Sequence, residues 1–203
     1  MFLIGLTGGS GSGKSTAAAL FRSLGIPTVD ADATYHEILR EQNACTKELT
    51  AAFGDEILDS QGLVCRKKLA ATVFGKKDTP ALLHTLNAIT HKYVMTEIRK
   101  KLSLLEKNGQ RMALLDAAQL FEANADKDCQ YLVGVIAKEE LRLSRIMARD
   151  ALSEEEAKAR LNAQKPDSFY QLHCHRILEN NGDEVALLSQ IKALLSHLNS
   201  EVL

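Results

Sequence analysis

The chain has 203 residues, of which 45% are hydrophobic and 25% charged, and it carries a formal net charge of −1 at neutral pH. A chain of this size buries a substantial core and fits one domain with an insertion. Ordinary composition and near-neutral charge exclude a disordered or repetitive chain and give no footprint of a nucleic-acid or membrane surface.

Residues 2–7 form a short apolar run ending in Gly8-Gly9, read as a first strand. Without a basic leader or a small-residue cleavage site it is not a signal peptide, and a cytoplasmic protein is expected. Ala17, Leu20, Phe21 and Leu24 then recur at helical spacing, Gly25 closes that helix, and 26–30 is a second short strand. From 36 to 107 the pattern is helical and mixed, with Leu86, Ile89, Tyr93, Ile98, Leu102 and Leu105 along one face; it reads as an inserted helical region. Met112–Asp116 and Tyr131–Ile136 are unbroken apolar runs of the kind found in parallel sheets covered on both faces. Residues 138–168 are a charged helical stretch holding Arg142, Arg145, Arg149 and Arg160, with Ser153 and three following glutamates as a capping signal, and read as a lid. Arg176–Glu179 is a last strand, and Val185, Leu188, Ile191, Leu195 and Leu198 line one face of a terminal helix. No apolar run approaches the roughly 20 residues that a spanning helix needs. The four cysteines contain no C-x-x-C pair and are expected as reduced thiols; His173-Cys174-His175 reads as a strand edge rather than half of a metal site.

The sequence Gly8-Gly9-Ser10-Gly11-Ser12-Gly13-Lys14-Ser15, followed by Thr16, fits G-x-x-x-x-G-K-[ST] and lies between a strand and a helix, the context that gives this motif its meaning. Its glycines let backbone N–H groups converge on a phosphate, and the helix dipole adds positive potential at the same place. Lys14 is expected to bridge the β- and γ-phosphates of ATP, and the Ser15 hydroxyl to ligate Mg²⁺ arriving with the nucleotide. Asp30 and Asp32 follow the second strand, at the edge of an open sheet where ligands bind. Asp32 is read as the group that orients and deprotonates an attacking hydroxyl, with Asp30 hydrogen-bonding the acceptor or a magnesium water; the alternative is that one of the two merely caps the next helix. Asp116 reads either as the acid of a Walker B strand or as an ordinary strand-end aspartate. Residues 66–101 hold nine lysines and arginines against Asp78 and Glu97; they draw a polyanion or are a solvated surface paired elsewhere. One of the lid arginines is expected on the γ-phosphate and at least one in a surface ion pair. The fold predicted is α/β: a three-layer P-loop NTPase fold with a mostly parallel five-stranded sheet, a helical acceptor-binding insertion at 36–107 and an arginine-bearing lid at 138–168, all within one domain spanning 1–203.

Taken together, these stretches resemble the dephospho-CoA kinase family over nearly the whole chain. The resemblance is carried by Gly5-Leu6-Thr7-Gly8-Gly9, Leu24-Gly25-Ile26 leading to Asp30-Ala31-Asp32, Phe53-Gly54 before Gly62-Leu63, Arg66, Leu69 and Val73-Phe74, Leu86-Asn87 with Ile89 and His91, and Leu120-Phe121-Glu122 after Asp116. Arg145, Arg149, Arg160 and Gln164 are similar to the family's lid, and Asn180 with Gly182 to its stretch beside the adenine. The resemblance implies phosphorylation of the ribose 3′-hydroxyl of dephospho-CoA by Mg²⁺-ATP. It implies Asp32 as base, Lys14 and Arg145 in catalysis, residues 8–16 with Arg149 and Asn180 on ATP, and Thr7, Asp30, Arg66, His91 and Asp116 toward the acceptor. Nucleic acid and membrane are not expected as partners. Lys92 stands where the family usually has proline, Ala118-Gln119 replaces Pro-Leu and Cys174-His175 replaces Ala-Asp. The competing readings are another small-molecule or nucleotide P-loop kinase and a nucleotide-dependent switch; no N-K-x-D guanine signature occurs.

Overall fold

A computed structural model describes residues 1–74 and 78–201. The five strands lie in the order β2-β3-β1-β4-β5, comprising β1 (Phe2–Gly8), β2 (Thr28–Asp30), β3 (Met112–Asp116), β4 (Tyr131–Ile136) and β5 (Arg176–Glu179). The pairs β1 with β3, β1 with β4 and β4 with β5 are parallel. Central position explains the composition of β1 and β3: both faces are covered, so nearly every side chain is apolar and buried. Leu6 sits opposite Asp116 and Gly8 opposite Val135, which brings the ends of β1, β3 and β4 to one edge.

Backbone contacts divide the chain into two compact units, Met1–Val29 with Leu105–Leu203, and Asp30–Leu104. In the first, α1 (Lys14–Ser23) and α9 (Glu184–Glu201) pack on the sheet through Ala17, Phe21, Leu187, Ile191 and Leu198. The α1 helix ends at Gly25 with φ +84, whose N–H donates to Arg22 O at 2.9 Å. The stripe on α9 differs from the one the spacing predicts. Val185 is 72% exposed, while Leu187 and Leu194 are buried beside Ile191, Leu195 and Leu198. The helix carries two overlapping apolar rows, and contact with α1 and the sheet selects between them. The charged stretch after β4 is two helices, α6 (Glu139–Asp150) and α7 (Glu154–Asn162), separated by Ala151 at φ +53 and a capping box of Ser153 with Glu156. A further helix, α8 (Asp167–His173), follows Pro166. His173 therefore ends a helix, and only His175 lies at the strand edge predicted for 173–175; its Nδ1 accepts from Leu132 N–H at 2.9 Å.

The second unit is helical: α2 (Ala31–Leu39), α3 (Ala44–Phe53), α4 (Arg66–Val73) and most of α5 (Thr79–Lys107). Its core joins Leu39, Leu49, Phe53, Ile57, Leu69, Val73 and Ile89. Asn43 and Thr46 cap α3 reciprocally. Among the described residues no helix is long and apolar enough to cross a membrane, and no group of His, Cys, Asp and Glu is arranged to hold a metal ion.

Phe21 is wholly buried between α9 and the sheet. Phe21→Ala is expected to cost about 3–5 kcal/mol in urea unfolding, and Leu172→Ser, at a position 80% exposed, less than about 0.5 kcal/mol. Burial, with Asp128 and Asp126 adding repulsion, pushes the Cys129 thiol up to about 12. The neutral form thus persists in the native state well above the usual thiol value. Native alkylation of Cys129 is expected to rise about tenfold per pH unit between about pH 8 and pH 10, without the plateau an ordinary thiol shows near about 8.5.

Candidate active site

The loop between β1 and α1 is shaped by how closely other chain segments approach it. A Cβ on Gly8 would stand 2.5 Å from the Val135 carbonyl oxygen, and one on Gly11 2.6 Å from that of Arg142. Gly11 and Gly13 have φ of +76 and +90, which side chains rarely adopt, and a Cβ on Gly13 would strike Asn180 Nδ2. No side chain caps α1, whose first-turn amides have no acceptor within the helix. They face the loop as an anion-binding N-terminus, ten helical residues deep.

Three α6 arginines reach this loop. Arg142 Nε donates to Ser10 O at 3.1 Å, Arg145 Nη1 to Gly11 O at 3.1 Å and Arg149 Nη2 to Ser10 Oγ at 3.1 Å. They differ in how their charge is met. Arg142 pairs with Asp167 at 3.0 Å, and Arg149 with Asp150, which also holds Arg160 at 2.8 Å. The bond to Asp150 raises the Arg149 pKa and lowers that of Asp150. Arg145 bonds to two neutral carbonyls, Gly11 O and Asn180 O, and has no ion pair among the described residues. Asn180 is buried and donates to Ser12 O at 2.9 Å.

Lys14 Nζ is ion-paired with the carboxylate of Asp116, both side chains nearly buried. Asp116 is thus more than a strand end: it holds the motif lysine. Buried pairs of this kind cost roughly 3–5 kcal/mol when one partner is removed. Thr7 is wholly buried and its hydroxyl donates to Ala118 O at 3.3 Å, so it secures the segment after β3 instead of presenting a side chain. Ser15 and Thr16 are exposed on the first turn of α1. The Ser15 hydroxyl is a hard oxygen donor, which fits Mg²⁺, an ion that keeps most of its waters and binds through few protein ligands. Ser12 Oγ is buried with no hydrogen-bond partner among the described residues.

The remaining predicted residues belong to the second unit. Asp30 caps α2, its carboxylate accepting from Ala33 N–H at 2.9 Å, while Asp32 is exposed in the first turn of the same helix. Arg66 is exposed at the start of α4, and His91 is half-buried on α5. Within the basic stretch, Lys92, Lys100 and Lys101 pair with Glu48, Glu97 and Glu37; Lys76 and Lys77 lie outside the described residues. Glu48 is held below the usual carboxylate range by bonds from Tyr93 and Lys92. Lys92 occupies the middle of an unbroken α5, where proline would remove a helical hydrogen bond.

Two contacts of the site escaped sequence reasoning. Gln164 and Asp167 meet Arg142 beside the loop, yet they stand 22 and 25 residues from it in the chain. The signals in the sequence were Gln164, named in the lid pattern without a partner, and Arg142, in the first turn of α6, which is the arginine that folding buries.

The family model described as dephospho-CoA kinase matches residues 2–185. A dephospho-CoA kinase of Bdellovibrio bacteriovorus is 36% identical over 195 residues, spanning 96% of this chain and 95% of its own. One of Arabidopsis thaliana is 37% identical over 195 residues, spanning 96% of this chain and 83% of its own. Among solved structures, a dephospho-CoA kinase from Campylobacter jejuni superposes with a TM-score of 0.72 at 25% identity, over 99% of this chain and 98% of that one. A shikimate kinase from Acinetobacter baumannii, at 18% identity and a TM-score of 0.53 over 100% and 96%, shares the fold.

The Gly13 geometry carries a direct test. Gly13→Ala must adopt a left-handed conformation costing roughly 1–2 kcal/mol and displace Asn180. Calorimetry is expected to show ADP binding weakened by about tenfold or more, with the far-ultraviolet circular dichroism of the wild type retained.

Proposed function

Because this chain belongs to the dephospho-CoA kinase family, we propose that it transfers the γ-phosphoryl group of ATP to the ribose 3′-hydroxyl of dephospho-CoA, giving coenzyme A and ADP, the last step of coenzyme A biosynthesis. The observation that carries this reading is the glycine-shaped loop at 8–13, with Lys14 beside it and Arg145 bonded to its backbone without an acid partner. An arginine bound only to carbonyls keeps its full charge for a phosphate.

In this reading the amides of residues 11–16 and Lys14 Nζ hold the β- and γ-phosphates, Lys14 exchanging its Asp116 partner for phosphate oxygen. Asp32 aligns the 3′-hydroxyl and takes its proton as the new P–O bond forms and the bond to the β–γ bridging oxygen breaks. The proton rests on the Asp32 carboxylate until solvent accepts it, and ADP departs. Arg145 Nη1 and Nη2 meet the charge spread over the transferring oxygens, an effect worth roughly 10³–10⁵ in rate where one arginine supplies it. Arg149 and Asn180 border the nucleotide. Mg²⁺ held at Ser15 would neutralise phosphate charge when bound. Arg66 and His91, on the helical segment 36–107, recognise the phosphate-rich acceptor, with Asp30 fixing the helix that carries Asp32 and Asp116 holding Lys14 until the nucleotide arrives. Residues 138–168 act as the lid that excludes water over a single functional unit, 1–203. A cytoplasmic location accords with both substrates.

The test is ADP release with Mg²⁺-ATP and dephospho-CoA, adenosine, AMP or no acceptor. Stimulation by dephospho-CoA alone, with product phosphorylated at the 3′-hydroxyl, is expected; turnover on another alcohol only would sink the assignment. Asp32→Asn is expected to lower kcat by about 10²–10⁴ with the KM for ATP within about twofold, read from initial rates.

A further inference from the structure

One buried cation has no part in that mechanism. Arg142 is 7% exposed, the only buried arginine among the described residues. Each of its three nitrogens has a protein partner: Nη1 on Asp167 at 3.0 Å, Nη2 on Gln164 Oε1 at 3.2 Å and Nε on Ser10 O at 3.1 Å. Gln164 Oε1 in turn accepts from Ser10 N–H at 2.7 Å. Both backbone polar groups of one loop residue are therefore gripped by a single arginine–amide couple. The fit leaves no slack, since a Cβ on Gly9 would fall between Arg142 Nη2 and Gln164 Oε1.

A loop with glycine at four of its six positions loses more conformational freedom on ordering than a loop of ordinary residues. If that cost fell at the moment of binding, affinity would drop. We propose that Arg142 and Gln164 are positioning residues that clamp Ser10 by its N–H and its C=O, holding the phosphate loop in its receptive shape before nucleotide arrives. Arg142 acts through the loop and touches no phosphate, because Asp167 meets its charge. The rigid fork of arginine suits this task, for one planar group reaches the loop carbonyl, the amide and the carboxylate together. The inference rests on the loop being the nucleotide site, and ADP binding by the wild type tests that reading separately.

The experiment compares full-length wild type, Gln164→Leu and Asp167→Asn by calorimetry with ADP, by amide exchange at Ser10 without nucleotide, and by kcat at saturating ATP. Gln164→Leu is expected to lose Ser10 protection and to bind ADP about threefold to tenfold more weakly, the worth of one hydrogen bond, with kcat within about twofold. Asp167→Asn removes the charge that opposes the guanidinium and so separates the alternatives by sign. A positioning arginine is held less firmly by a neutral amide and ADP binding weakens; a phosphate-binding arginine is no longer neutralised by a carboxylate and ADP binding tightens. Tighter binding by Asp167→Asn, or loss of Ser10 protection with unchanged ADP affinity in Gln164→Leu, overturns the proposal. Asp167, whose side chain is 36% exposed, tolerates its near-isosteric amide and keeps the test open should Gln164→Leu fail to fold.

Discussion

The backbone of residues 8–13 lies so close to β4, α6 and Asn180 that side chains are excluded from most of it, and the first unit is arranged around that constraint. The sheet fixes where the loop begins. With β3 and β4 both parallel to β1, the end of the central strand cannot shift without breaking two ladders. The helix that follows is anchored at its other face by Phe21 in the core. What lies between is a turn with its two ends set, whose inner surface is backbone amide and whose outer surface is bonded to α6 and Asn180.

Charge is distributed around the loop by the same close packing. Lys14, Arg142 and Arg149 each meet a carboxylate, from Asp116, Asp167 and Asp150. Arg145 alone among the four meets only carbonyls. A phosphate entering the loop competes with an acid for three of these cations and with neutral oxygens for the fourth. Of the three pairs only Lys14–Asp116 is nearly buried, yet each sets an acid against an incoming phosphate, and Arg145 is the cation that a phosphoryl group reaches without displacing a carboxylate.

Local signals were legible in the sequence, and long-range consequences were not. The strands at 112–116 and 131–136, the helix stop at Gly25 and the Ser153 cap are written in neighbouring residues, and they stand where the patterns put them. The phosphate loop was legible for the same reason, as a local motif in a strand-to-helix context. The choice between Asp30 and Asp32 as the helix cap turned on backbone direction at the end of β2, and Asp30 took it. Short α8 gave no pattern, since seven residues make fewer than two periods, and it places Asp167 on Arg142. The buried row of α9 was misread because two rows satisfy helical spacing and only the packed surface distinguishes them. The bond from Gln164 to Ser10 joins residues 154 apart, a contact that periodicity does not encode.

The departures from the family pattern show how such contacts decide what a substitution means. His175 replaces a usual acid, yet its Nδ1 accepts the Leu132 N–H, a bond any well-placed acceptor can make. It stands at the beginning of β5, level with the beginning of β4, at the opposite end of these strands from the phosphate loop. Lys92 spends its charge on Glu48 and lies over the Tyr93 ring. At Ala118 the group used is the backbone carbonyl, taken by Thr7, so the side chain that differs is not the one the fold employs. In each case the new residue is accounted for by an intramolecular partner. Altered residues consumed in this way leave the loop, Lys14 and the arginines of α6 as they were, and those are the groups on which the proposed chemistry at the sheet edge rests.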